Sequence, residues 1–379
     1  MTHSGEPFVR VVKRTDIEKG KAILYRVIAL LCALTVGGLL VALLGYSPFQ
    51  MYSDMVSGAI GKSLIAVNKQ GVLEFSSSAQ ATMKIVTLLL VTSLGLTMAF
   101  KMKFWNIGGE GQILVGAICC SYIAVHYGDT WPRWLLLVSM FVVACIGGGL
   151  YALLPAIFKA KWGTNETLFT LMLNYIAINF ITFLQYQPSW QMTGTSFPKI
   201  RDFADATRLP EVLGVHMGWI VALALAVLLY LYFSKTKHGY EVTVVGESAN
   251  TAKYAGMDVP RIILRTMFAS GAICGFAGFL QVSGASGTLT TDTGGGAGFT
   301  AITVAWLSGM NPLLMIIYAC FIAVLQRGSN RIQTTMGIPK SAADMLIGII
   351  LFFMLGVEFF INYRLIFRTK QVKREAALQ

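Results

Sequence analysis

Charged residues are scarce in this sequence, which excludes a water-soluble protein of ordinary composition. Of the 379 residues, 13% are charged and 55% are hydrophobic, whereas soluble domains carry about a quarter charged residues. So few charges cannot cover a globule of this size with a hydrated surface. A disordered chain is also excluded, because disorder requires low hydrophobicity. The mean hydropathy of +0.64 therefore predicts a membrane protein.

Groups that support catalysis, metal binding or ATP hydrolysis are also missing from the sequence. The four histidines have no metal-ligand spacing, and the six cysteines, all in apolar runs, form no C-x-x-C pair. Gly61-Lys62-Ser63 resembles the end of a phosphate-binding loop, but Val56 stands where the first glycine of that motif belongs. We therefore predict that the chain is not an enzyme and holds no metal or cofactor.

The apolar runs that are present predict an all-α polytopic membrane protein. Each run is compared with the roughly 20 residues that a transmembrane helix needs. This comparison predicts about ten transmembrane helices, one of them unusually short. The predicted spans are residues 22–45, 79–100, 107–125, 134–158, 166–185, 218–233, 260–282, 299–307, 313–325 and 342–363.

The net charge of +12 favours basic cytoplasmic loops over nucleic-acid binding in a sequence this hydrophobic. With the N-terminal segment 1–21 and the tail 364–379 both cytoplasmic, about 20 lysines and arginines lie inside and about 10 outside. Residues 22–363 then form a single transmembrane domain of the plasma membrane. Outside the spans, we expect an interfacial or re-entrant helix over 48–67 and an irregular external loop over 187–217.

Two glycine-rich breaks interrupt the apolar runs, one in each half of the chain. The first spans residues 106–112 and carries an acid and two amides, and the second spans residues 294–298. Glycine permits broken backbone, which a membrane tolerates only where it lines a cavity or is buried in protein. Such pairs are typical of transporters built from inverted repeats, with the substrate path between the broken helices. The alternatives are a cytoplasmic loop at the first break and an external loop at the second.

Polar and aromatic side chains near these breaks and on the fifth predicted helix are candidates for a substrate path. An intramembrane carboxylate or amide indicates function by default, and an aromatic ring can stack on a flat ligand. The candidates are Trp105, Asn106, Glu110, Gln112, Asn165, Glu166, Phe169, Asn174, Phe299 and Trp306. For Asn165 and Glu166 the alternative role is to cap a helix.

Residues 247–257, between the sixth and seventh spans, predict a short helix in a cytoplasmic loop. Ser248 can cap its start, and Gly256 suits the position just after its end. A short amphipathic helix can dock into a groove on a partner, and the alternative is a connector without a partner. The candidate contact residues are Glu247, Asn250, Ala252, Tyr254, Ala255 and Gly256.

Small residues at Gly271, Gly275 and Gly278 share G-x-x-x-G-type spacing on the seventh predicted helix. This spacing permits close approach of neighbouring helices within a membrane. We therefore expect a structural packing face on this helix.

Four segments, in this order, resemble the permeases of nucleoside ABC importers, in the superfamily of ribose and branched-chain amino acid permeases. They are Lys103-Phe104-Trp105-Asn106-Ile107-Gly108-Gly109-Glu110-Gly111-Gln112, Gly163-Thr164-Asn165-Glu166 with Leu171-Met172-Leu173-Asn174-Tyr175, 246–256 and 298–312. The resemblance covers roughly residues 46–363. The chain departs from the family pattern at Trp105, where a smaller apolar residue is usual, and at Thr300-Ala301, which replaces an acidic residue.

The resemblance implies a passive subunit that forms the path for nucleoside uptake across a bacterial plasma membrane. It also implies a homologous second permease subunit, a cytoplasmic ABC ATPase that binds the ATP, and an external substrate-binding lipoprotein. The coupling segment 247–257 would insert into a cleft of the ATPase. Two alternatives stay open: an ABC permease for a simple sugar such as ribose, and an ion-coupled secondary transporter that uses Glu110 or Glu166.

Overall fold

The computed structural model describes residues 9–13, 19–61, 63–67, 71, 73–192, 194 and 197–367. The predicted terminal segments 1–21 and 364–379 therefore lie largely outside the described residues. The described chain divides into two compact units. One is formed from residues 55–328, and the other from the described parts of 1–54 and 329–379.

Helices make up most of the described chain, and the protein is an all-α polytopic membrane protein. The helices are α1 (Lys19–Leu43), α2 (Pro48–Ile60), α3 (Ser77–Lys101), α4 (Gly109–Tyr127), α5 (Arg133–Trp162), α6 (Glu166–Gln185), α7 (Gly218–Lys235), α8 (Lys237–Glu247), α9 (Ala249–Tyr254), α10 (Val259–Leu280), α11 (Ala297–Leu307), α12 (Pro312–Met336) and α13 (Lys340–Asn362). Within the described residues, eight helices are long and apolar enough to cross a membrane. The short helix α11 has 11 residues, close to the predicted short span.

Short strand pairs, which the sequence did not predict, connect some of these helices. The pairs are β1 (Val9–Lys13) with β6 (Tyr363–Phe367), β2 (Ile65–Val67) with β3 (Leu73–Phe75), and β4 (Glu211–Val212) with β5 (Val215–His216), all antiparallel. Strands of two to five residues are too short to show a clear alternation of polar and apolar residues. The helix predicted over 48–67 ends at Ile60, because Gly61 takes the left-handed conformation, with φ +83°.

In the unit that contains the chain ends, α1 packs against α13. Arg26 and Glu358 form an ion pair between these helices, with Nε and Oε1 2.7 Å apart. The hydroxyl of Tyr52 donates to the carbonyl of Leu34 at 2.6 Å, which fastens the start of α2 to α1. A polar pair inside a bundle of this kind joins helices that otherwise meet through apolar side chains.

In the larger unit, α3 is the most enclosed helix. Every residue from 86 to 100 is buried. The hydroxyls of Thr92 and Thr97 donate to backbone carbonyls one turn earlier, at 2.8 Å in both cases, so burial leaves them hydrogen-bonded. This helix packs against α10 and α11, and its last turn reaches the first glycine-rich break.

The small-residue face of α10 meets two neighbouring helices, which confirms the packing predicted from its glycines. A Cβ atom on Gly275 would overlap the backbone of Ala144 in α5, and one on Gly271 would overlap the backbone of Gly148. On the other side, a Cβ atom on Gly116 of α4 would overlap the backbone of Gly275. Backbone contact at this distance excludes any larger residue from the shared face.

The predicted irregular loop 187–217 ends in a buried histidine. His216 is 2% exposed, and its ring lies against Gly218 and Gly284, where an added Cβ atom would be 2.6 Å and 2.5 Å from ring atoms. Burial, together with the charge of Lys84, lowers the pKa of His216 from 6.5 to about 4. The ring is therefore neutral in the folded protein at neutral pH.

We expect the protein to lose stability in acid because of His216. The unfolded chain binds a proton near pH 6.5 and the folded chain near pH 4, so stability is complete above pH 6.5 and declines as the pH falls towards 4. The loss is at most about 3 kcal/mol. Thermal unfolding in detergent between pH 7.5 and pH 4 measures it.

A pair of substitutions assigns this acid sensitivity to one ring. His216→Gln should flatten the pH dependence of the melting temperature, because the titrating group is gone. His126→Gln is the matched control, because it also replaces a histidine with glutamine but at an exposed position. An unchanged slope in His216→Gln would contradict the assignment.

Candidate functional site

Two helices of the larger unit begin inside the protein, one within each glycine-rich break. Helix α4 starts at Gly109, and α11 starts at Ala297. At 1.5 Å per residue, α11 is about 16 Å long, which is roughly half of a hydrocarbon core about 30 Å thick. Both breaks are thus places where a membrane-embedded chain changes from irregular backbone to helix.

The first break is buried in protein and held there by amide side chains. Asn174 of α6 accepts a hydrogen bond from the N–H of Gly111 at 2.8 Å and donates to the carbonyl of Ile107 at 3.0 Å. Asn106 and Gln112 bond to each other at 3.2 and 3.3 Å. All three amides are at most 1% exposed. Their hydrogen bonds to protein satisfy irregular backbone that would otherwise be costly in a membrane.

Thr170 is a residue of this network that the sequence analysis missed. Its hydroxyl accepts a hydrogen bond from the N–H of Ile107 at 3.1 Å. It precedes Asn174 by four residues on α6, so the two side chains share one face of that helix. The spacing of four residues from Asn174 was the feature of the sequence that could have identified Thr170.

Glu110 joins the two breaks. Its carboxylate accepts hydrogen bonds from the backbone N–H groups of Gly296 at 3.0 Å and Gly298 at 2.7 Å. Both carboxylate oxygens therefore accept a hydrogen bond at the start of α11. The two breaks, far apart in sequence, form one structural feature.

Aromatic side chains mark the other end of α11. Trp306 stacks on Trp105, with ring centroids 5.5 Å apart and planes 13° apart. Phe100 flanks the pair, 6.3 Å from Trp105 and 6.4 Å from Trp306. The two indoles are 47% and 39% exposed, so each retains surface for a further contact. Phe299 is exposed two turns earlier on α11 and continues this row.

A cavity of about 350 Å³ adjoins the stacked indoles. Its lining combines aromatic, basic and coupling-segment residues: Phe100, Lys101, Lys103, Phe104, Trp105, Thr243, Gly246, Glu247, Trp306, Gly309 and Met310. Two of these, Lys103 with φ +54° and Met310 with φ +60°, have the left-handed conformation that non-glycine residues rarely adopt. Such backbone is often found at functional sites.

Three other candidate residues contact protein groups near the start of α6. They are Asn165, Glu166 and Phe169. Asn165 caps α6 by accepting from the N–H groups of Thr167 and Leu168, at 3.0 and 3.2 Å. Glu166 pairs with Lys159 of α5 at 2.7 Å. The ring of Phe169 packs on Phe158, with centroids 5.0 Å apart. The capping role considered for Asn165 is therefore confirmed.

The predicted coupling segment is a short helix, as expected. Ser248 caps α9 by accepting from the N–H of Thr251 at 3.2 Å, and Gly256 follows the helix with φ +77°. Both predictions are confirmed. Tyr254 is 93% exposed. The other exposed members of the segment's predicted contact set are Glu247, Asn250, Ala255 and Gly256.

Ala252 differs from the rest of this set because it faces inward. It belongs to a buried apolar cluster that includes Phe104, Met102, Val245 and Val259. Phe104 directly precedes Trp105 in the chain. Ala252 therefore anchors α9 to the chain segment just before the first break, and it is not available as a surface contact.

An ion pair also joins helices α8 and α10. Arg265 donates to Glu241 at 2.8 Å, and this hydrogen bond holds the pKa of the Glu241 carboxyl below its usual value. The loop with the coupling segment is thus fastened to α10 at two places, by this ion pair and by the cluster around Ala252.

Comparison with known proteins gives consistent similarities over most of the chain. Residues 78–355 match the family described as "Branched-chain amino acid transport system / permease component". Over 351 residues the chain is 30% identical to the glucose ABC transporter permease protein TsgB13 of Haloferax volcanii, which covers 89% of this chain and 88% of the relative. Over 371 residues it is 28% identical to the guanosine ABC transporter permease protein NupP of Bacillus subtilis, which covers 94% and 98%. Over 358 residues it is 27% identical to the nucleoside ABC transporter permease protein NupB of Lactococcus lactis, which covers 92% and 94%.

Proposed function

Because this chain belongs to the branched-chain amino acid transport permease family and is a permease component of an ABC transporter, we propose that it forms the path for nucleoside uptake across the plasma membrane. Its partners would be a homologous second permease, a cytoplasmic ATPase that binds ATP, and an external substrate-binding lipoprotein. Both chain ends would lie in the cytoplasm. The chain itself would hold no cofactor.

The main observation that supports this proposal is the row of exposed aromatic rings along α11. Trp105, Trp306 and Phe299 offer apolar faces, and the base of a nucleoside is a flat ring that stacks on such faces. The nearby amides Asn106, Gln112 and Asn174 bond to protein groups, and we propose that they shape the path rather than grip the cargo. A few stacking contacts suit a path that must also release its cargo.

The same structure suggests how a partner ATPase would move the path. Tyr254 would enter the ATPase cleft, and a push on α9 would reach Ala252 on its inner face. From there the buried cluster leads to Phe104, the neighbour of Trp105. Motion of the coupling segment would in this way shift one of the two stacked indoles.

Glucose or another simple sugar is the second candidate cargo. The similarity to the Haloferax volcanii glucose permease favours it, and indole rings also stack on the apolar face of a sugar ring. The helices of a permease alone do not separate these cargoes, because the external binding protein would choose between them.

Uptake of radiolabelled guanosine and glucose in the native cell, with and without the gene, tests the proposal. We expect guanosine uptake to fall to background in the deletion strain. Uptake should stop after ATP depletion and persist after a protonophore is added with ATP maintained. Gene-dependent uptake of glucose alone would favour the sugar alternative, and loss with the protonophore would favour ion coupling.

A further inference from the structure

A buried carboxylate lies where two helices begin, the 19-residue α4 and the 11-residue α11. Glu110 is the second residue of α4 and is 5% exposed. It accepts hydrogen bonds from Gly298, the second residue of α11, and from Gly296, which precedes that helix. The N-terminus of a helix carries a partial positive charge. One carboxylate therefore balances the positive ends of both helices.

This contact gives α11 the cap that its own sequence lacks. Gly296 stands at the capping position, and a glycine has no side chain that could accept a hydrogen bond there. The first N–H groups of a helix need a partner, above all inside a membrane. Glu110 supplies it for two of them, from 186 and 188 residues away in the sequence.

The contact is also tightly packed. A Cβ atom on Gly298 would overlap the backbone nitrogen of Glu110, and one on Gly294 would overlap the carboxylate. The glycines of the second break thus permit the approach that the hydrogen bonds require. Moving α11 away from α4 means breaking both of these bonds.

The far end of α11 is fastened to the same stretch of chain. Trp306, near the end of the helix, stacks on Trp105, and Trp105 precedes Glu110 by only five residues. A helix of 11 residues thus has both of its ends attached to residues 105–110. Its start is held by hydrogen bonds to a charge, and its end by an aromatic stack.

We propose that Glu110 is a positioning residue, which holds α11 at its start and thereby places Trp306 on Trp105 at the inner end of the transport path. Loss of the carboxylate frees the start of the helix, and the stacked pair loses its alignment. The consequence for transport rests on the proposed function, whereas the effect on the stacked pair does not.

Glu110→Gln in the full-length permease, within its native transporter, tests this role. The glutamine carbonyl can still accept one hydrogen bond, but the charge and the second acceptor are lost. The stacked indoles produce an exciton band in circular dichroism, which Trp306→Phe identifies by its absence. We expect Glu110→Gln to reduce this band and to lower the maximal rate of guanosine uptake about tenfold or more, with little change in KM.

Two further variants make the result decisive. Glu358→Gln removes another acid from a membrane helix, one paired with Arg26, and should retain both the exciton band and uptake. Gly294→Ala displaces the carboxylate from the opposite side and should reproduce the effect of Glu110→Gln. An unchanged exciton band in Glu110→Gln would overturn the proposal, whatever the cargo proves to be. The proposal would also be overturned if neither variant protein, Glu110→Gln or Gly294→Ala, accumulated in the membrane. Glu110 would then be needed for folding.

Discussion

Replacing Tyr254 with alanine will leave the permease in the membrane and lower ATP-driven uptake at least about 30-fold, the effect of a loss of about 2 kcal/mol at a binding hot spot. The side chain is 93% exposed, so its removal costs the fold little. Its aromatic ring on a short exposed helix has the character of an interface anchor. The measurement is guanosine uptake normalised to the amount of permease in the membrane.

A second tyrosine serves as the matched control for Tyr254. Tyr186 is 64% exposed and lies at the C-terminal end of α6, at the opposite face of the membrane in the proposed topology. Tyr186→Ala removes the same side chain on the side away from the proposed ATPase and should leave uptake within about twofold, as expected of a surface substitution. Normal uptake by Tyr254→Ala would show that the ATPase is coupled through another part of the chain.

Replacing Gly275 with leucine will prevent the permease from accumulating. A Cβ atom at this position would overlap the carbonyl of Ala144, and backbone cannot move aside as a side chain can. Gly116 and Gly148 approach the same residue from α4 and α5. Overpacking in a core costs about 1–3 kcal/mol and sometimes more, and we expect a cost above this range where three helices meet.

Gly348→Leu is the control for this substitution. Gly348 lies within α13, and among the described residues no atom beyond its chain neighbours and the backbone of its own helix turn lies within 4 Å of the position that its Cβ would take. Leucine there gains helix propensity without a clash, so membrane levels should equal those of the unchanged protein. Size-exclusion chromatography in detergent, with quantitative blotting of membranes, compares the two variants. Normal accumulation of Gly275→Leu would contradict the close packing of α10.

Local patterns predicted those features that depend on neighbours in sequence. Ser248 and Gly256 delimited α9, because a cap and a left-handed glycine act within one turn of a helix. The spacing of Gly271 and Gly275 identified a packing face, because helical periodicity places both on one side. The strand pairs, by contrast, were too short for any periodic signal, and the pairing of β1 with β6 joins distant parts of the chain.

The candidate site was predicted as a set of residues but not as an arrangement. Asn106, Gln112 and Asn174 were chosen as polar groups in a membrane, and the structure places them in one buried network with Thr170. The same reasoning selects Asn165 and Glu166, which the structure places at the start of α6, as a cap and as the partner of Lys159. Residue type does not reveal which partner satisfies a polar group, because that partner is often far away in the sequence.

The sequence by itself determined that this protein is a helical membrane protein with two glycine-rich breaks and a short helix within residues 247–257, since hydropathy, glycine and caps act locally. Only the tertiary structure decided that Glu110 caps α11, that Trp105 stacks on Trp306, and that Ala252 faces the core behind Phe104. The reason is physical. Each of these contacts joins segments that are distant in the chain, and their geometry depends on how closely the glycines of α4, α5 and α10 allow the helices to approach.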